Sequence, residues 1–241
     1  MLLLANCSPD SWGLDSLNIM FCAVIVAAGS SRRAGFDKLA APLAGQPVLC
    51  RSVQAFVEAG CSAVVVVCPQ ERWEAVGLAS AVYPVPVLRV DGGAERQDSV
   101  AAGLAALPSA TRWVAVHDGA RPLITPQGIR SCLAAAAQTG AAACAHPVVD
   151  TLKRAEADGL SLPEKVSRDC LWGMETPQIF DIELLRRAYA CVAEQGLIVT
   201  DEVSAMETLG IPTRLVQGGT NLKITLPGDL ELAELIFNHR S

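Results

Sequence analysis

The sequence predicts an α/β domain: a mostly parallel, twisted sheet with helices on both faces, Rossmann-like in its winding, from which one β-arm projects. Three observations carry this. Short runs rich in valine and alanine, at residues 21–28, 63–68 and 111–116, alternate with stretches of helical apolar spacing, as in sheets covered on both faces. Hydrophobic residues make up 51% of the 241 positions, enough for one large core, and with only 5% aromatics alanine and valine must fill much of it. A charged segment, DTLKRAEADGLSLPEKVSRDC at 150–170, breaks that rhythm with alternating polarity around Asp158-Gly159, a hairpin signal.

In chain order, the apolar run at 21–28 reads as a buried first strand ending in Ala27-Ala28-Gly29. Residues 1–19 read as an added or disordered leader, because Met20 stands directly before that strand, and the domain is taken as 20–241. Residues 47–59 have helical spacing and stop at Gly60; 63–68 is the next strand. A helix at 71–80 and a strand at 85–90 follow. Gly92 and Gly93 make a tight loop, and the helix from about Gln97 carries apolar residues at 100, 104 and 107, with Ser99 in its first turn. The strand at 111–116 leads into His117-Asp118-Gly119-Ala120-Arg121-Pro122, placing an acidic residue where such sheets bind ligands.

Thr125-Pro126 caps a helix to Gln138, and 141–149 is a strand. The arm at 150–170 has too little apolar surface to fold alone, so it is expected to pack on a second subunit. Asp181 caps a helix to Glu194; Thr200 caps another through Leu209, with Asp201 and Glu202 in the dipole-favoured first turn. Strands at 213–217 and 221–225 precede a last amphipathic helix, 228–238.

The net charge of −6, from 19 basic and 25 acidic residues, excludes a broad nucleic-acid-binding surface and makes a local cationic cluster informative. No apolar run reaches membrane-spanning length, and MLLLANCSPD lacks the basic start of a signal peptide, so a cytoplasmic location is expected with no membrane partner. Nine cysteines form no Cys-x-x-Cys pair and histidines 117, 146 and 239 lack metal-ligand spacing, which excludes a zinc or disulfide framework.

The cationic cluster is the loop at 24–38, VIVAAGSSRRAGFDK, with Arg32, Arg33 and Lys38. Gly29 brings backbone N–H groups close to an oxyanion and the cations offset its charge, so the loop suits a polyphosphate and a nucleotidyltransferase. It is neither a P-loop nor a Gly-x-Gly-x-x-Gly turn. Taken singly, the polar residues also have ordinary readings. Arg96 and Arg168 could be solvated charges, Ser99 a first-turn hydroxyl, and Lys223 the gatekeeper of an edge strand.

Ala-Ala-Gly-x-x-x-Arg with a following lysine resembles the nucleotide loop of the sugar nucleotidyltransferase superfamily. Its double arginine is similar to the form in the 2-C-methyl-D-erythritol 4-phosphate cytidylyltransferase family. The resemblance runs from about residue 21 to 237 as an ordered series: AAGSSRR, DGGAERQDSV, VHDGARP, PVVDTLKR, VSRDCLW, TPQIF, TDE and NLKIT. It implies transfer of CMP from CTP to methylerythritol 4-phosphate in non-mevalonate isoprenoid synthesis, with Mg²⁺ or another divalent cation.

By that resemblance Arg33, Lys38, Arg168 and Lys223 are the catalytic cations. Arg33 and Lys38 would act at the α-phosphate and pyrophosphate, Arg168 and Lys223 on the incoming phosphate. Ala27, Ala28, Gly29, Gly93, Arg96 and Ser99 would bind the nucleotide. Asp118, Arg121, Thr151, Thr176 and Thr200 would bind the second substrate, with Asp118 also the metal ligand, directly or through water. The arm would reach the neighbouring subunit's site, making a homodimer. The chain departs from the family at Ala94, where an acidic residue is frequent, at Gly119, where alanine stands, and in a shorter loop from Arg33 to Lys38. The competing readings are a cytidylyltransferase for ribitol 5-phosphate or another polyol phosphate, a nucleotidyltransferase acting on a pterin or sugar phosphate, against which DTLKR and VSRDCLW speak, and a non-catalytic nucleotide-binding regulatory subunit.

Overall fold

The computed structural model describes residues 20–29 and 35–240. The leader at 1–19, Arg33 with the loop residues 30–34, and Ser241 lie outside the described residues. The first half runs β1 (Phe21–Val26), β2 (Pro42–Leu43), β3 (Gln46–Pro47), α1 (Val48–Glu58), β4 (Ala63–Val67), α2 (Gln70–Ala75), β5 (Val87–Val90), α3 (Arg96–Ala105) and β6 (Trp113–Asp118). The second half runs α4 (Pro126–Thr139), β7 (Ala141–Pro147), β8 (Trp172–Asp181), α5 (Ile182–Glu194), α6 (Glu202–Glu207), β9 (Arg214–Gln217) and α7 (Pro227–Arg240).

Among the described residues the main sheet has seven strands in the order β5-β4-β1-β6-β8-β7-β9. β5, β4, β1 and β6 run parallel, β8 is antiparallel to both its neighbours, and β7 and β9 are parallel to each other. β1 lies at the centre of the parallel part because every residue from Phe21 to Ile25 is buried, so both faces must be covered. Its side chains alternate between two cores. Ala23 and Ile25 join α1 and α4 on one face; Cys22 and Val24 join α3, α5 and α6 on the other.

The parallel register puts Val26 beside Asp118, so β1 and β6 end at the same level and their loops emerge side by side. Gly119 extends that ladder by donating to the Val26 carbonyl, 3.0 Å. This shared edge, at the carboxyl ends of the strands, carries the site.

The structure corrects several expectations. The helix expected at 71–80 stops at Ala75, because Gly77 turns the chain with φ +76°. Thr200 does not cap α6; Asp201 does, accepting the Ser204 N–H at 3.0 Å. Segment 221–225 is not a strand. Its apolar alternation has another cause: Ile224 is buried and donates its N–H to the Ala120 carbonyl, 2.8 Å, while the Asn221 amide donates to the Thr176 carbonyl, 2.6 Å. The segment is an irregular strap across the strand ends. α7 is less amphipathic than expected, with Ala233 buried but Leu232 and Leu235 exposed. β8 is a strand that the sequence pattern does not predict. The arm projects as a short hairpin, with a bridge between Ala155 and Ser161 and the Leu162 N–H on the Arg154 carbonyl, 2.8 Å.

Candidate active site

A cleft of ≈ 370 Å³ opens at the strand ends, lined by residues from β6, β8, the start of α3, the start of α6 and the 221–225 strap. Asp118, the last residue of β6, lies at its centre. Lys223 Nζ donates to one of its oxygens at 2.6 Å, and Arg96 Nη2 to the other at 3.3 Å. Burial alone would raise the Asp118 carboxyl; Arg96, Lys223 and Arg121 outweigh it and hold the group well below the usual carboxylate range.

Arg96 begins α3 and is gripped from behind. Its Nη1 and Nη2 donate to the two oxygens of Glu202 at 2.7 and 3.1 Å, a two-pronged pair across 106 residues. Glu202 is fully buried, accepts the Tyr189 hydroxyl at 3.0 Å, and gives its own N–H to the Gln178 side chain, 3.0 Å. Burial would lower the Arg96 pKa, but the Glu202 and Asp118 carboxylates more than reverse that and raise it. The guanidinium is therefore fixed in plane, with N–H donors left over for a ligand in the cleft.

The Asp118 backbone is fixed by a relay. Its N–H donates to Thr176 Oγ1, 3.0 Å, so that hydroxyl turns its hydrogen to His117 Nδ1, also 3.0 Å away. The ring then donates from Nε2 to the Arg121 carbonyl at 3.2 Å, which defines one neutral tautomer. His117 is fully buried with Phe56 edge-on at 5.1 Å, and burial pushes its pKa down to about 4.

Arg121 spends its Nη atoms on two carbonyls, Asn221 at 2.8 Å and Met174 at 3.3 Å, while its Nε has no partner among the described residues. Burial lowers its pKa, and the carboxylates of Asp118 and Glu175 act only from a distance. A half-buried cation served chiefly by carbonyls favours an anion beside it.

The residues that the sequence resemblance assigns to the nucleotide gather next to this cleft. Ser99 Oγ accepts the Gly93 N–H and donates to the Glu95 carbonyl, each at 3.2 Å. Gly92 packs so closely that a Cβ there would lie 2.6 Å from the Ala28 Cβ, which only glycine allows. Ala27 has its N–H on the Val67 carbonyl, 2.8 Å, and its carbonyl on Arg72, so the second lone pair of that oxygen is what remains for a ligand. Lys38 Nζ donates to the Ile224 carbonyl at 2.7 Å, which brings it against the strap that carries Lys223.

The structure thus brings together Arg96, Asp118, Arg121, Thr176, Thr200 and Lys223 around one cleft. Thr151 and Arg168 sit on the arm and do not line the cleft of their own chain; Arg168 donates to the Val149 carbonyl at the arm's base. Among the described residues no cluster of three or more metal-ligating side chains occurs. Residues that the sequence reading did not assign to the site include Glu202, Gln178, Tyr189, Glu175 and His117. The sequence signal for Glu202 is its place in TDE, where a helix-dipole role also accounts for an acidic residue.

The motifs that converge here lie in VHDGARP, GGAERQDSV, TPQIF, TDE and NLKIT. A family model described as 2-C-methyl-D-erythritol 4-phosphate cytidylyltransferase matches residues 21–239. The chain belongs to that family. A 2-C-methyl-D-erythritol 4-phosphate cytidylyltransferase of Synechococcus elongatus is 42% identical over 223 residues, covering 90% of this chain and 96% of the relative. One from Symbiobacterium thermophilum is 40% identical over 228 residues, covering 93% and 96%. The crystal structure of the Thermus thermophilus 2-C-methyl-D-erythritol 4-phosphate cytidylyltransferase superposes with TM-score 0.74 at 34% identity, over 91% of this chain and all of that one. A 2-C-methyl-D-erythritol 4-phosphate cytidylyltransferase is a CTP-dependent transferase of the non-mevalonate isoprenoid route.

Proposed function

We propose that this chain joins CTP and 2-C-methyl-D-erythritol 4-phosphate into 4-diphosphocytidyl-2-C-methyl-D-erythritol and pyrophosphate. One observation carries the reading for this chain's own residues. Lys223 and Asp118, 105 positions apart in two family motifs, meet at 2.6 Å in a cleft that Arg96, Arg121 and Thr176 also line.

A phosphate monoester oxygen attacks the α-phosphorus of CTP; a new P–O bond forms as the bond to the β-phosphate oxygen breaks, and pyrophosphate leaves. The nucleophile is already ionised at neutral pH, so the protein needs no general base. Its work is alignment and neutralisation of charge. Lys38 and Arg33 act at the α-phosphate and the leaving pyrophosphate. Arg96, held in plane by Glu202, and Ser99 with the 92–93 loop position the nucleotide; Ala28 and Gly29 offer backbone groups. Lys223 and Arg121 receive the polyol phosphate, while Thr176 lines the same cleft and holds Asp118 through its hydroxyl, with Thr200 at the cleft's edge.

Asp118 suits a magnesium ion. Each of its oxygens keeps a lone pair beyond those used by Arg96 and Lys223, and magnesium commonly takes one carboxylate and completes its shell with phosphates and water. When bound, the ion supplies positive charge against the triphosphate. Asp118, held by its N–H on Thr176, would be its protein ligand.

In this reading the enzyme is a homodimer that exchanges arms, so Thr151 and Arg168 serve the partner subunit's site. What supports it is an arm exposed along almost its whole length, with Leu160 67% exposed. A cytoplasmic location belongs to the same proposal. The eight cysteines among the described residues are all free, which suits a reducing compartment, and no described helix is long and apolar enough to cross a membrane.

The test is pyrophosphate release from CTP and Mg²⁺ with methylerythritol 4-phosphate and ribitol 5-phosphate offered in parallel. Turnover with the first alone is expected. Turnover with ribitol 5-phosphate alone would keep the chemistry and move the substrate. Silence with both, from folded protein, would overturn the catalytic reading.

A further inference from the structure

Arg72 lies on α2, outside the cleft, yet only 9% of its side chain is exposed. Its guanidinium spans the loop that carries Lys38. Nη1 donates to the carbonyl of Ala27, where the chain leaves β1, and Nε donates to Asp37 Oδ2 at 3.1 Å, where the chain returns. Asp37 in turn organises residues 39–41. Its Oδ1 accepts the Leu39 N–H at 3.1 Å, and its carbonyl accepts the N–H groups of Ala40 and Ala41, both at 3.1 Å. Lys38 therefore stands between a residue clamped by Arg72 and a tight turn built on that same residue.

We propose that Arg72 is a positioning residue for Lys38, holding entrance and exit of the phosphate-binding loop at one point. A buried cation needs a partner, and one carboxylate would satisfy that need alone. The second bond, to a backbone carbonyl on the far side of the loop, is what a mere counter-ion would lack. Only arginine fits the role, since its planar fork reaches two acceptors in fixed directions while lysine offers one point charge. The inference rests on the reading that Lys38 acts at the α-phosphate. Its consequence is kinetic, because a reacting group misplaced by about 1 Å loses on the order of 100-fold in rate.

The test uses Arg72→Lys and Asp37→Ala in the full-length enzyme, with steady-state kinetics for both substrates and amide hydrogen exchange on the substrate-free protein. Asp37 is 40% exposed, so water can reach the Arg72 charge when its carboxylate is removed, and Asp37→Ala is the variant expected to keep its fold should Arg72→Lys fail to. Expected are a fall in kcat of about 30-fold, with KM for the polyol phosphate within about twofold, and faster exchange at the amides of residues 39–41 while β1 and β4 stay protected. Full-rate Arg72→Lys would overturn the proposal, since a buried charge alone would then suffice. Unaltered exchange at 39–41 in both variants would overturn it too, as would loss of protection spreading through β1 and β4. A wild-type enzyme that fails to turn over CTP would instead sink the function assigned to Lys38, and the exchange data would still decide whether Arg72 holds the loop.

Discussion

Glu202 grips Arg96 from behind the cleft, the first residue of α6 against the first residue of α3, joined by two hydrogen bonds of 2.7 and 3.1 Å. The pair does two jobs at once. It ties α6 to α3, and it keeps Arg96 from collapsing onto Asp118, to which it makes only one longer bond of 3.3 Å.

Removing one partner of such a pair leaves a desolvated charge behind. Glu202→Gln is therefore expected to cost about 3 kcal/mol of folding stability. Tyr189→Phe, which deletes one hydrogen bond to the same carboxylate, should cost about 1.5 kcal/mol. Urea unfolding of both single variants and the double variant checks this. The double variant should lose less than the sum, because both changes act on one group.

His117 gives the stability a pH dependence with a definite sign. Its folded pKa, about 4, lies below the ordinary 6.5 because burial disfavours the imidazolium. Above pH 6.5 the ring is neutral folded and unfolded, and nothing is lost. As pH falls from 6.5 to 4 only the unfolded chain takes up the proton, so stability drops, by about 3 kcal/mol at the end of that window. Asp118 adds a further loss at lower pH, since its carboxyl is held below the unfolded value. Urea midpoints between pH 7 and 4 should therefore fall in the wild type and stay flatter in His117→Gln; equal slopes would show that His117 is not the group responsible.

The parallel half of the fold was legible because its physics is local. β1, β4 and β6 are buried on both faces and read as unbroken apolar runs, and the caps at Thr125 and Asp181 stand where the sequence puts them, accepting N–H groups at 3.0 Å. β8 was not legible. WGMETPQIFD carries a glutamate and a proline in mid-strand, and its burial comes from β6 and β7 on either side. The 221–225 strap erred in the opposite direction, since Leu222 and Ile224 alternate like a strand while Asn221 and Ile224 are held by Thr176 and Ala120. In the site, the cations stood out against a net charge of −6. Their carboxylate partner Glu202 did not, because a helix start already explained an acidic residue there.

Lys38 reaches the Ile224 carbonyl from the loop after β1, so its charge is delivered to the site by a flexible stem on a fixed base. Lys38→Ala should cut kcat by about 1,000-fold, the scale for a lost transition-state donor, while CTP affinity changes by less than about tenfold. Single-turnover kinetics and calorimetric titration of CTP separate the two. Equal losses in both would make Lys38 a ground-state binding residue.

The arm poses a question that subunit mixing answers. Thr151 and Arg168 lie away from the cleft of their own chain, and Lys38 beside it. If arms are exchanged, a site is built from Lys38 of one chain and Arg168 of the other. Lys38→Ala and Arg168→Ala enzymes would each be nearly inactive. After denaturation and refolding of a 1:1 mixture, half of the dimers would be mixed. Each mixed dimer would hold one site with both defects and one with neither, so the mixture should regain about a quarter of the wild-type rate. If each arm serves its own chain, every site keeps one defect whatever the pairing and mixing restores nothing. The rate after refolding, measured as pyrophosphate release and normalised to dimer recovered by gel filtration, separates the two architectures.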